Sequence, residues 1–240
     1  MDKLVNLVLV RHGKSIWNKE NRFTGWTNVD LSDDGIKESI AISKKIKKMN
    51  IHFDYAFSSS LIRTKHTLRI VLDELNQNSI PIESTWRLNE KHYGALEGLD
   101  KDYCRKIYGE EAVLKWRRFP DATPPKLSRN DPRHPLNRED FKEFIDSGDL
   151  NEENCPSGES LNEALMRIEP FIKKTLLSLL RDEKNVLIVA HGNAIRGIAM
   201  YLEKIDANNI REFEIKTGNA LCYTISANSL EIINKIILKP

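Results

Sequence analysis

The chain has 240 residues, of which 40% are hydrophobic, and this suits one globular domain with a substantial core. Its 37 basic and 35 acidic residues give a formal charge of +2. A balance so close to zero excludes a broad polyanion-binding surface, so nucleic acid is not expected as a partner. Three well-separated cysteines, Cys104, Cys155 and Cys222, form no CxxC pair and are typical of reduced thiols in a cytoplasmic protein.

The opening run LVNLVLV is similar to the apolar region of a signal peptide, but it is short and contains Asn6. Arg-His-Gly follows it in place of a small-residue cleavage site. No apolar stretch is long enough to cross a bilayer. We therefore expect a soluble, cytoplasmic protein without a membrane partner.

The first predicted elements are a strand, a helix and a second strand. Residues 4–10 form a short β-branched apolar run, the composition of a strand that is buried on both faces. Residues 31–49 predict a helix with Ser32 as its N-cap. Its expected apolar face consists of Ile36, Ile40, Ile46 and Met49. A strand-like segment follows at 53–59.

The remaining elements continue this alternation. Residues 60–75 predict a helix whose apolar side carries Leu61, Leu68, Val71, Leu72 and Leu75. Strands are predicted at 80–85 and 186–190. A long amphipathic helix that contains Pro170 is predicted at 158–180, and another helix is predicted after residue 192, through about residue 203. Residues 221–226 and 230–238 predict a closing hairpin that turns around Asn228 and Ser229.

Alternating strands and helices favour an α/β fold with three layers, in which helices flank a mostly parallel central sheet. We expect a single domain over residues 1–240. The segment of about 94–157 departs from the alternation, is rich in proline and arginine, and is interpreted as a long insertion. Such segments in compact domains are commonly functional lids or else disordered, and we predict a lid over the sheet.

Two of the predicted strands end in the same dipeptide, His12-Gly13 and His191-Gly192. Open α/β sheets bind ligands beyond the carboxyl ends of their strands, so both imidazoles are expected in one crevice. A strand-end histidine bonded to backbone would explain one His-Gly as well as a functional role does. Two of them favour the functional interpretation.

The residues after the first strand suit a phosphate group. Arg11 offers a donor fork, Gly13 is expected to expose backbone N–H groups to phosphate oxygens, and Ser15 and Asn18 add hydrogen bonds. A neutral imidazole at His12 could attack phosphorus and hold the group covalently, which divides one transfer into two.

Three further positions carry charge where an active site could use it. Arg63 lies at a helix start, where anions are favoured, although a solvated arginine is the commoner case. Glu90 could move a proton or form a surface salt bridge. Arg117 and Arg118 could be an anion clamp or a solvated pair. The six histidines show no HxxxH or His/Cys cluster, so no metal is predicted.

The motifs LVRHGKSIWNKENRFTGWTNVDLS, EKHYGALEGLDK, WRRF and VAHGNAIR occur in this order, and with them the sequence strongly resembles the cofactor-dependent phosphoglycerate mutases of the histidine phosphatase superfamily. The resemblance covers about residues 4–238. It implies interconversion of 3-phosphoglycerate and 2-phosphoglycerate in glycolysis and gluconeogenesis, with 2,3-bisphosphoglycerate as primer and intermediate. It leaves open whether the protein is a monomer, a homodimer or a homotetramer.

The resemblance also implies roles for particular residues. His12 would be the nucleophile, Glu90 the general acid and base, and His191, Arg11 and Arg63 would stabilise the transferring phosphoryl group. Substrate phosphate and carboxylate groups would be bound by a larger set: Arg11, His12, Gly13, Lys14, Ser15, Asn18, Thr24, Gly25, Arg63, Glu90, Lys91, His92, Tyr93, Lys101, Arg117, Arg118, Gly192 and Asn193.

Some positions depart from the family pattern. Lys14 stands where Glu or Gln is usual and would add a positive charge beside the nucleophile, and Lys91 stands where Arg is usual. Two alternatives accompany the mutase hypothesis. One is a bisphosphoglycerate mutase or a phosphatase of small phosphorylated metabolites, and the other is a catalytically silent phospho-ligand binder.

Overall fold

A mixed six-stranded sheet forms the centre of the part of the chain that the computed structural model describes, residues 3–205 and 213–240. The strands are β1 (Leu4–Arg11), β2 (Tyr55–Ser59), β3 (Ile82–Thr85), β4 (Val186–Ala190), β5 (Ala220–Ser226) and β6 (Ile232–Leu238). Their order is β3-β2-β4-β1-β5-β6. The first four in this order pair in parallel, and β5 and β6 pair antiparallel at one edge. Every strand predicted from the sequence is confirmed.

Nine α-helices among the described residues surround this sheet. They are α1 (Ile16–Lys19), α2 (Asp33–Lys47), α3 (Ile62–Leu75), α4 (Lys101–Tyr108), α5 (Glu110–Arg118), α6 (Lys142–Asp146), α7 (Leu161–Phe171), α8 (Leu177–Arg181) and α9 (Gly192–Glu203). None of the described helices is long and apolar enough to cross a membrane.

The two central strands are buried on both faces, as their composition predicts. Successive side chains of a strand point to opposite faces. Leu9 and Ile188 accordingly lie in one hydrophobic cluster with α7, α8 and α9, whereas Val10 and Val189 lie in a second cluster with α2 and α3. Each such buried aliphatic side chain stabilises the fold by about 1.5–3 kcal/mol. The predicted three-layer α/β fold with a mostly parallel sheet is therefore confirmed.

The helix α2 has the predicted N-cap and part of the predicted apolar face, since Ile46 and Met49 pack in one hydrophobic cluster. Ser32 accepts a hydrogen bond from the N–H of Gly35 at 3.2 Å. The prediction for Ile40 was wrong because this side chain is exposed, and small residues such as Ser39 occupy the buried side beside Ile46. A Cβ on Gly35 would lie 2.1 Å from the carbonyl oxygen of Lys14. The buried face is small because the loop after β1 lies directly against this helix.

The predicted long helix around Pro170 is interrupted. The regular helix α7 ends at Phe171, a π-helical turn covers Ile172–Leu176, and α8 follows. Proline has no backbone N–H and its ring crowds the carbonyl four residues earlier, so the regular ladder is disturbed at this point. At its other end, Ser160 and Glu163 form a reciprocal capping box that fixes where α7 begins.

The segment 94–157 contains more regular structure than its composition indicates. It includes α4, α5 and α6, and 3-10 turns connect or precede them. Phe141 and Leu150 from this segment pack with Trp26 and Trp86 in a small separate cluster. Cys104 and Val113 form another with Phe23. The helices α4 and α5 thus rest on the loops that follow β1 and β3.

Candidate active site

The two His-Gly dipeptides meet because β1 and β4 are neighbouring parallel strands, with Arg11 paired to Ala190 at their ends. The ring centroids of His12 and His191 are 4.9 Å apart and the rings are inclined by 64°. Both side chains are buried, with exposed fractions of 3% and 0%. The two imidazoles therefore lie side by side at the ends of neighbouring strands.

The ring of His12 is oriented by its own loop. Its Nδ1 lies 2.6 Å from the carbonyl oxygen of Gly13, and a carbonyl only accepts, so Nδ1 carries the hydrogen and donates. In the neutral ring Nε2 then holds a free lone pair. Burial lowers the pKa of His12 well below its usual value, and the charges of Arg63 and Arg11 lower it further. His12 is thus kept neutral with a nucleophilic Nε2.

The second imidazole, His191, is held from the opposite side. Its Nε2 lies 2.8 Å from Oγ of Ser59, which in turn lies 2.7 Å from Oγ1 of Thr64 at the start of α3. Burial lowers the pKa of His191 well below its usual value, and the charge of Arg63 lowers it further. Both rings of the pair are therefore neutral in the free protein.

Several buried polar atoms have no hydrogen-bond partner within the described part of the chain. Nε of Arg11, Oγ1 of Thr24 and Nδ1 of His191 are three of them. Buried polar groups are normally paired, because an unpaired one costs about 1–3 kcal/mol. Arg11 and Thr24 line a common cavity together with His12, and His191 packs against His12 without lining the cavity itself. The orphaned atoms indicate that a polar ligand completes the site.

The cavity has a volume of about 140 Å³ and a strongly basic wall. Its cationic side chains are Arg11, Arg22, Arg63, Lys101, Arg117, Arg118 and Arg196, and its carboxylates are Glu90 and Glu214. Burial lowers the pKa of Arg63 to about 10. Burial also lowers the pKa of Lys101 to about 8, with a further contribution from Arg117. Cations this desolvated and crowded gain most from a multiply charged anion.

Thirteen of the predicted site residues line this cavity: Arg11, His12, Asn18, Thr24, Gly25, Arg63, Glu90, Tyr93, Lys101, Arg117, Arg118, Gly192 and Asn193. Lys101, Arg117 and Arg118 come from α4 and α5. The predicted lid segment therefore supplies part of the basic wall.

Gly13 and Lys14 lie outside the cavity, contrary to the sequence-based expectation. The N–H of Gly13 donates to Oγ1 of Thr67 at 3.2 Å and does not face a ligand. A Cβ on Gly13 would lie 2.1 Å from the carbonyl oxygen of Gly35, so this glycine permits close packing of the loop on α2. The ammonium of Lys14 lies 3.9 Å from Glu38 and its N–H donates to the same carboxylate at 2.8 Å.

Ser15 acts on the cavity through its neighbour Asn18. The N–H of Asn18 donates to Oγ of Ser15 at 3.1 Å, and the N–H of Ser15 donates to Oδ1 of Asn18 at 3.2 Å. This reciprocal capping box begins α1 and fixes the side chain of Asn18 at the cavity wall. Ser15 is thus placed as a support for Asn18.

Lys91 and His92 are also buried behind the cavity wall. The ammonium of Lys91 donates to the carbonyl of Trp116 and lies 4.7 Å from the ring centroid of Tyr93, while burial lowers its pKa to about 8. Burial lowers the pKa of His92 to about 3, and its Nδ1 accepts from the N–H of Gly94 at 2.9 Å. Neither side chain is among those that line the cavity.

Five residues that were not predicted from the sequence also line the cavity: Arg22, Phe23, Arg196, Glu214 and Ile215. Arg196 donates to Oδ1 of Asn193 at 2.7 Å and to the carbonyl of Phe213 at 2.9 and 3.0 Å. Its helical spacing of three residues from Asn193 places both on one face of α9, and this spacing could have identified Arg196. Glu214 lies 3.5 Å from Arg118, a contact between distant segments that has no local sequence signal.

The carboxylate of Glu90 is held in the wall by backbone donors. Its Oε1 accepts from the N–H of Lys91 at 2.8 Å and from the N–H of Asn193 at 3.3 Å. The second of these comes from the first turn of α9, where helix N–H groups favour negative charge. Glu90 therefore faces the same space as His12 with a fixed orientation.

Arg167 anchors the segment that carries Glu90. Its guanidinium donates to four main-chain carbonyls, those of Trp86, Arg87, Asn89 and Glu90, at 2.7–3.3 Å. It also binds both carboxylate oxygens of Glu159, at 2.6 and 2.9 Å. Both side chains of this ion pair are buried, with 5% and 4% exposed. The backbone around Glu90 is thus tied to α7.

Arg63 has a similar anchoring function on the other side of the cavity. Its guanidinium donates to the carbonyls of Gly25 at 2.7 Å and of Thr27 at 2.9 Å. The loop that presents Thr24 and Gly25 is therefore attached to α3. Arg63 combines this role with a position in the cavity wall.

No group of three or more His, Cys, Asp or Glu side chains within residues 3–205 and 213–240 is arranged to hold a metal ion. The chemistry supported by this site is transfer of a phosphoryl group to an imidazole. The charge that spreads over the equatorial oxygens in such a transfer would be met by the arginines and the second histidine.

Comparison with known proteins agrees with this interpretation. The model of the histidine phosphatase superfamily (branch 1) matches residues 7–146 and 130–233. A 2,3-bisphosphoglycerate-dependent phosphoglycerate mutase from Buchnera aphidicola subsp. Schizaphis graminum is 45% identical over 219 residues, which cover 91% of this chain and 93% of the relative. The chain belongs to the histidine phosphatase superfamily, and within it to the 2,3-bisphosphoglycerate-dependent phosphoglycerate mutases.

Solved structures support the same fold. A phosphoglycerate mutase from Bacillus anthracis superimposes with a TM-score of 0.66 at 22% identity, covering 100% of this chain and 93% of that one. An alpha-ribazole phosphatase from Shigella flexneri gives a TM-score of 0.70 at 20% identity, covering 98% and 96%. At this identity the likeness establishes the fold alone.

Proposed function

We propose that this protein interconverts 3-phosphoglycerate and 2-phosphoglycerate through a phosphohistidine at His12. The observation that carries this proposal is the tautomer of His12, whose Nδ1 is engaged by the carbonyl of Gly13. Its Nε2 is therefore left with a free lone pair in a cavity with a basic wall. The relative with 45% identity supports the substrate assignment.

His12 and Glu90 have different roles in the reaction, one carrying the phosphoryl group and the other the proton. In this proposal, 2,3-bisphosphoglycerate supplies the phosphoryl group that primes His12. Glu90 takes the proton from the free substrate hydroxyl, the hydroxyl oxygen attacks phosphorus, and the bond from phosphorus to Nε2 breaks, which restores neutral His12. His12 then takes the other phosphoryl group of the resulting bisphosphate, and Glu90 returns its proton to the departing oxygen.

The cationic wall performs the work that a metal ion performs in other phosphoryl transferases. Arg11 and Arg63 lie beside His12 and would neutralise charge on the transferring group, and Nδ1 of His191 would donate to it. Lys101, Arg117 and Arg118 would bind the remaining phosphate and carboxylate. We therefore propose a reaction that needs no metal ion.

The segment 94–157 would act as a lid through α4 and α5, which carry these three cations. Exclusion of water matters because water at the phosphohistidine would release free phosphate in place of isomerised product. We propose the cytoplasm as the site of action, in agreement with the three free cysteines.

The deciding experiment is turnover of 3-phosphoglycerate in excess EDTA, with and without a trace of 2,3-bisphosphoglycerate. Production of 2-phosphoglycerate and of free phosphate is scored separately. We expect rapid isomerisation that the trace of bisphosphate stimulates, with little phosphate release. Mainly free phosphate would identify a phosphatase, and activity only without EDTA would contradict metal independence.

A matched pair of variants locates the activity in the cavity. His12→Ala should abolish isomerisation. Lys14→Ala changes a neighbouring residue whose side chain lies at Glu38 outside the cavity, so it should retain activity. Equal loss in both variants would show that the loop after β1, rather than the imidazole, is what activity requires.

A further inference from the structure

Glu97 is a buried carboxyl directly behind the wall of the cavity, with 5% of the residue exposed. Its Oε1 accepts from the backbone N–H groups of Trp26 at 2.9 Å and Tyr93 at 3.0 Å. Its Oε2 accepts from the hydroxyl of Thr27 at 3.1 Å. One carboxyl thus joins the loop after α1 to the segment of Tyr93, and both of these line the cavity.

The carboxyl of Glu97 lies against Gly25, a residue that lines the cavity. Gly25 has a φ of +49°, and a Cβ placed there would lie 1.8 Å from Oε1 of Glu97. The carboxyl oxygen therefore occupies the space that any side chain at residue 25 would need. Gly25 itself lines the cavity, so a negative charge on Glu97 would lie close to an anion bound there.

Among the described residues, no cationic side chain bonds directly to the carboxylate of Glu97, because the nearby arginines bond to main-chain carbonyls. Arg63 on α3 donates to Gly25 and Thr27, Arg138 donates to the carbonyl of Trp26 at 2.9 Å, and Arg133 donates to the main-chain carbonyl of Glu97 at 3.1 Å.

Two titratable groups on the segment of Glu97 complete these surroundings. His92 approaches within 3.3 Å but accepts a hydrogen bond at that nitrogen, and so it is neutral. Tyr93 contributes its N–H, and burial raises the pKa of its phenol, which stays neutral. Burial raises the pKa of Glu97 to about 7.

We propose that Glu97 is a positioning residue that takes up a proton when the anionic substrate binds. The identity of that substrate rests on the function proposed above. The proton comes from solvent and forms an O–H bond at Oε2, which then donates to Oγ1 of Thr27 as the threonine hydroxyl turns away. Both N–H bonds to Oε1 remain, so the loop keeps its shape while the wall loses its negative charge.

The coupling is reciprocal by thermodynamic necessity. A bound anion raises the proton affinity of Glu97, and the proton raises the affinity for the anion by the same factor. A coupling of about one pKa unit corresponds to about a tenfold change in affinity. Substrate should therefore bind most tightly below neutral pH, where Glu97 is protonated, and more weakly above it.

The test compares the wild-type protein with Glu97→Gln from about pH 6 to pH 8.5. The amide oxygen can still accept both N–H groups, so the loop is retained without a titrating group. We expect the ratio of the wild-type KM for 3-phosphoglycerate to that of the variant to rise from near one to about tenfold. Titration of the substrate phosphate cancels in this ratio. A ratio that does not change with pH would overturn the proposal.

Glu38→Gln is the matched control, because Glu38 also accepts a backbone N–H of a site loop but does so outside the cavity. The ratio of the wild-type KM to the KM of Glu38→Gln should not change with pH. A second probe is sulfate, which does not titrate in this range, with binding measured by calorimetry. Its affinity for the wild type should weaken with rising pH more steeply than its affinity for Glu97→Gln. Parallel curves would overturn the coupling.

The calorimetric measurement requires no turnover. It therefore tests the coupling separately from the proposed function. If the wild-type protein forms no 2-phosphoglycerate, the mutase proposal fails while the sulfate result still decides whether Glu97 is linked to anion binding.

Discussion

Replacement of Arg167 by methionine should destabilise the protein and slow catalysis together. The guanidinium supports Glu159 and four main-chain carbonyls, including that of Glu90. Arg167→Met keeps much of the aliphatic volume but leaves the carboxylate of Glu159 buried without its cationic partner, with 4% exposed. Breaking a buried ion pair by removing one partner costs about 3–5 kcal/mol. We expect a loss of this size in the free energy of unfolding.

Urea unfolding measures this loss, and the double variant Arg167→Met/Glu159→Gln separates its causes. Removing the buried charge of Glu159 should recover about 2 kcal/mol, while the carbonyls stay unsupported. The value of kcat should remain low in both variants because Glu90 is no longer anchored. A single variant within about 1 kcal/mol of wild type would refute the reasoning, as would a double variant that is no more stable than the single one.

Three side chains of the cavity give further expectations. His12→Ala should abolish acid-labile phosphate labelling, and label that persists would identify another nucleophile. Since burial and nearby arginines lower the pKa of His12, it stays neutral on acidification, and stopped-flow phosphoenzyme formation should show no loss centred near pH 6.5, the midpoint of an ordinary histidine. Glu90→Gln should slow transfer to the substrate hydroxyl by about 100-fold or more and slow priming of His12 to a similar extent, because priming is the reverse of that step; an unchanged kcat with a raised KM would indicate a binding role. Arg117→Ala should raise KM for 3-phosphoglycerate by about tenfold or more, since a charged hydrogen bond is worth about 1.5–3 kcal/mol, and an unchanged KM would mean that this arginine is only solvated.

The sequence predicted the centre of the site well because its determinants are local. The apolar runs before His12 and His191 could only be buried strands, and neighbouring parallel strands end at the same edge. The spacing of apolar residues over 60–75 likewise predicted the helix that carries Arg63. The same kind of spacing wrongly predicted that Ile40 is buried. The loop after β1 instead covers the small residues on another side of α2.

Several predicted site residues do not line the cavity, and one physical cause is common to them. Lys14, Lys91 and His92 belong to motifs whose neighbours line the cavity, but adjacent residues in a loop point in different directions. Partners distant in sequence decide which direction each takes: Glu38 for Lys14, Trp116 for Lys91 and Glu159 for the backbone of His92. Sequence spacing contains no record of such partners, and it likewise gave no sign of Glu214.

The crowding of cations around the cavity has a consequence for the protein as a whole. Seven basic side chains share a small partly buried volume with two carboxylates, so the ligand-free fold contains mutual repulsion that unfolding would release. A bound polyanion removes that repulsion, and any ligand that binds only the native state stabilises it by mass action. The melting temperature of the protein should accordingly rise with the concentration of small phosphorylated metabolites, so that its resistance to heat and proteolysis follows the metabolic supply of its own ligands.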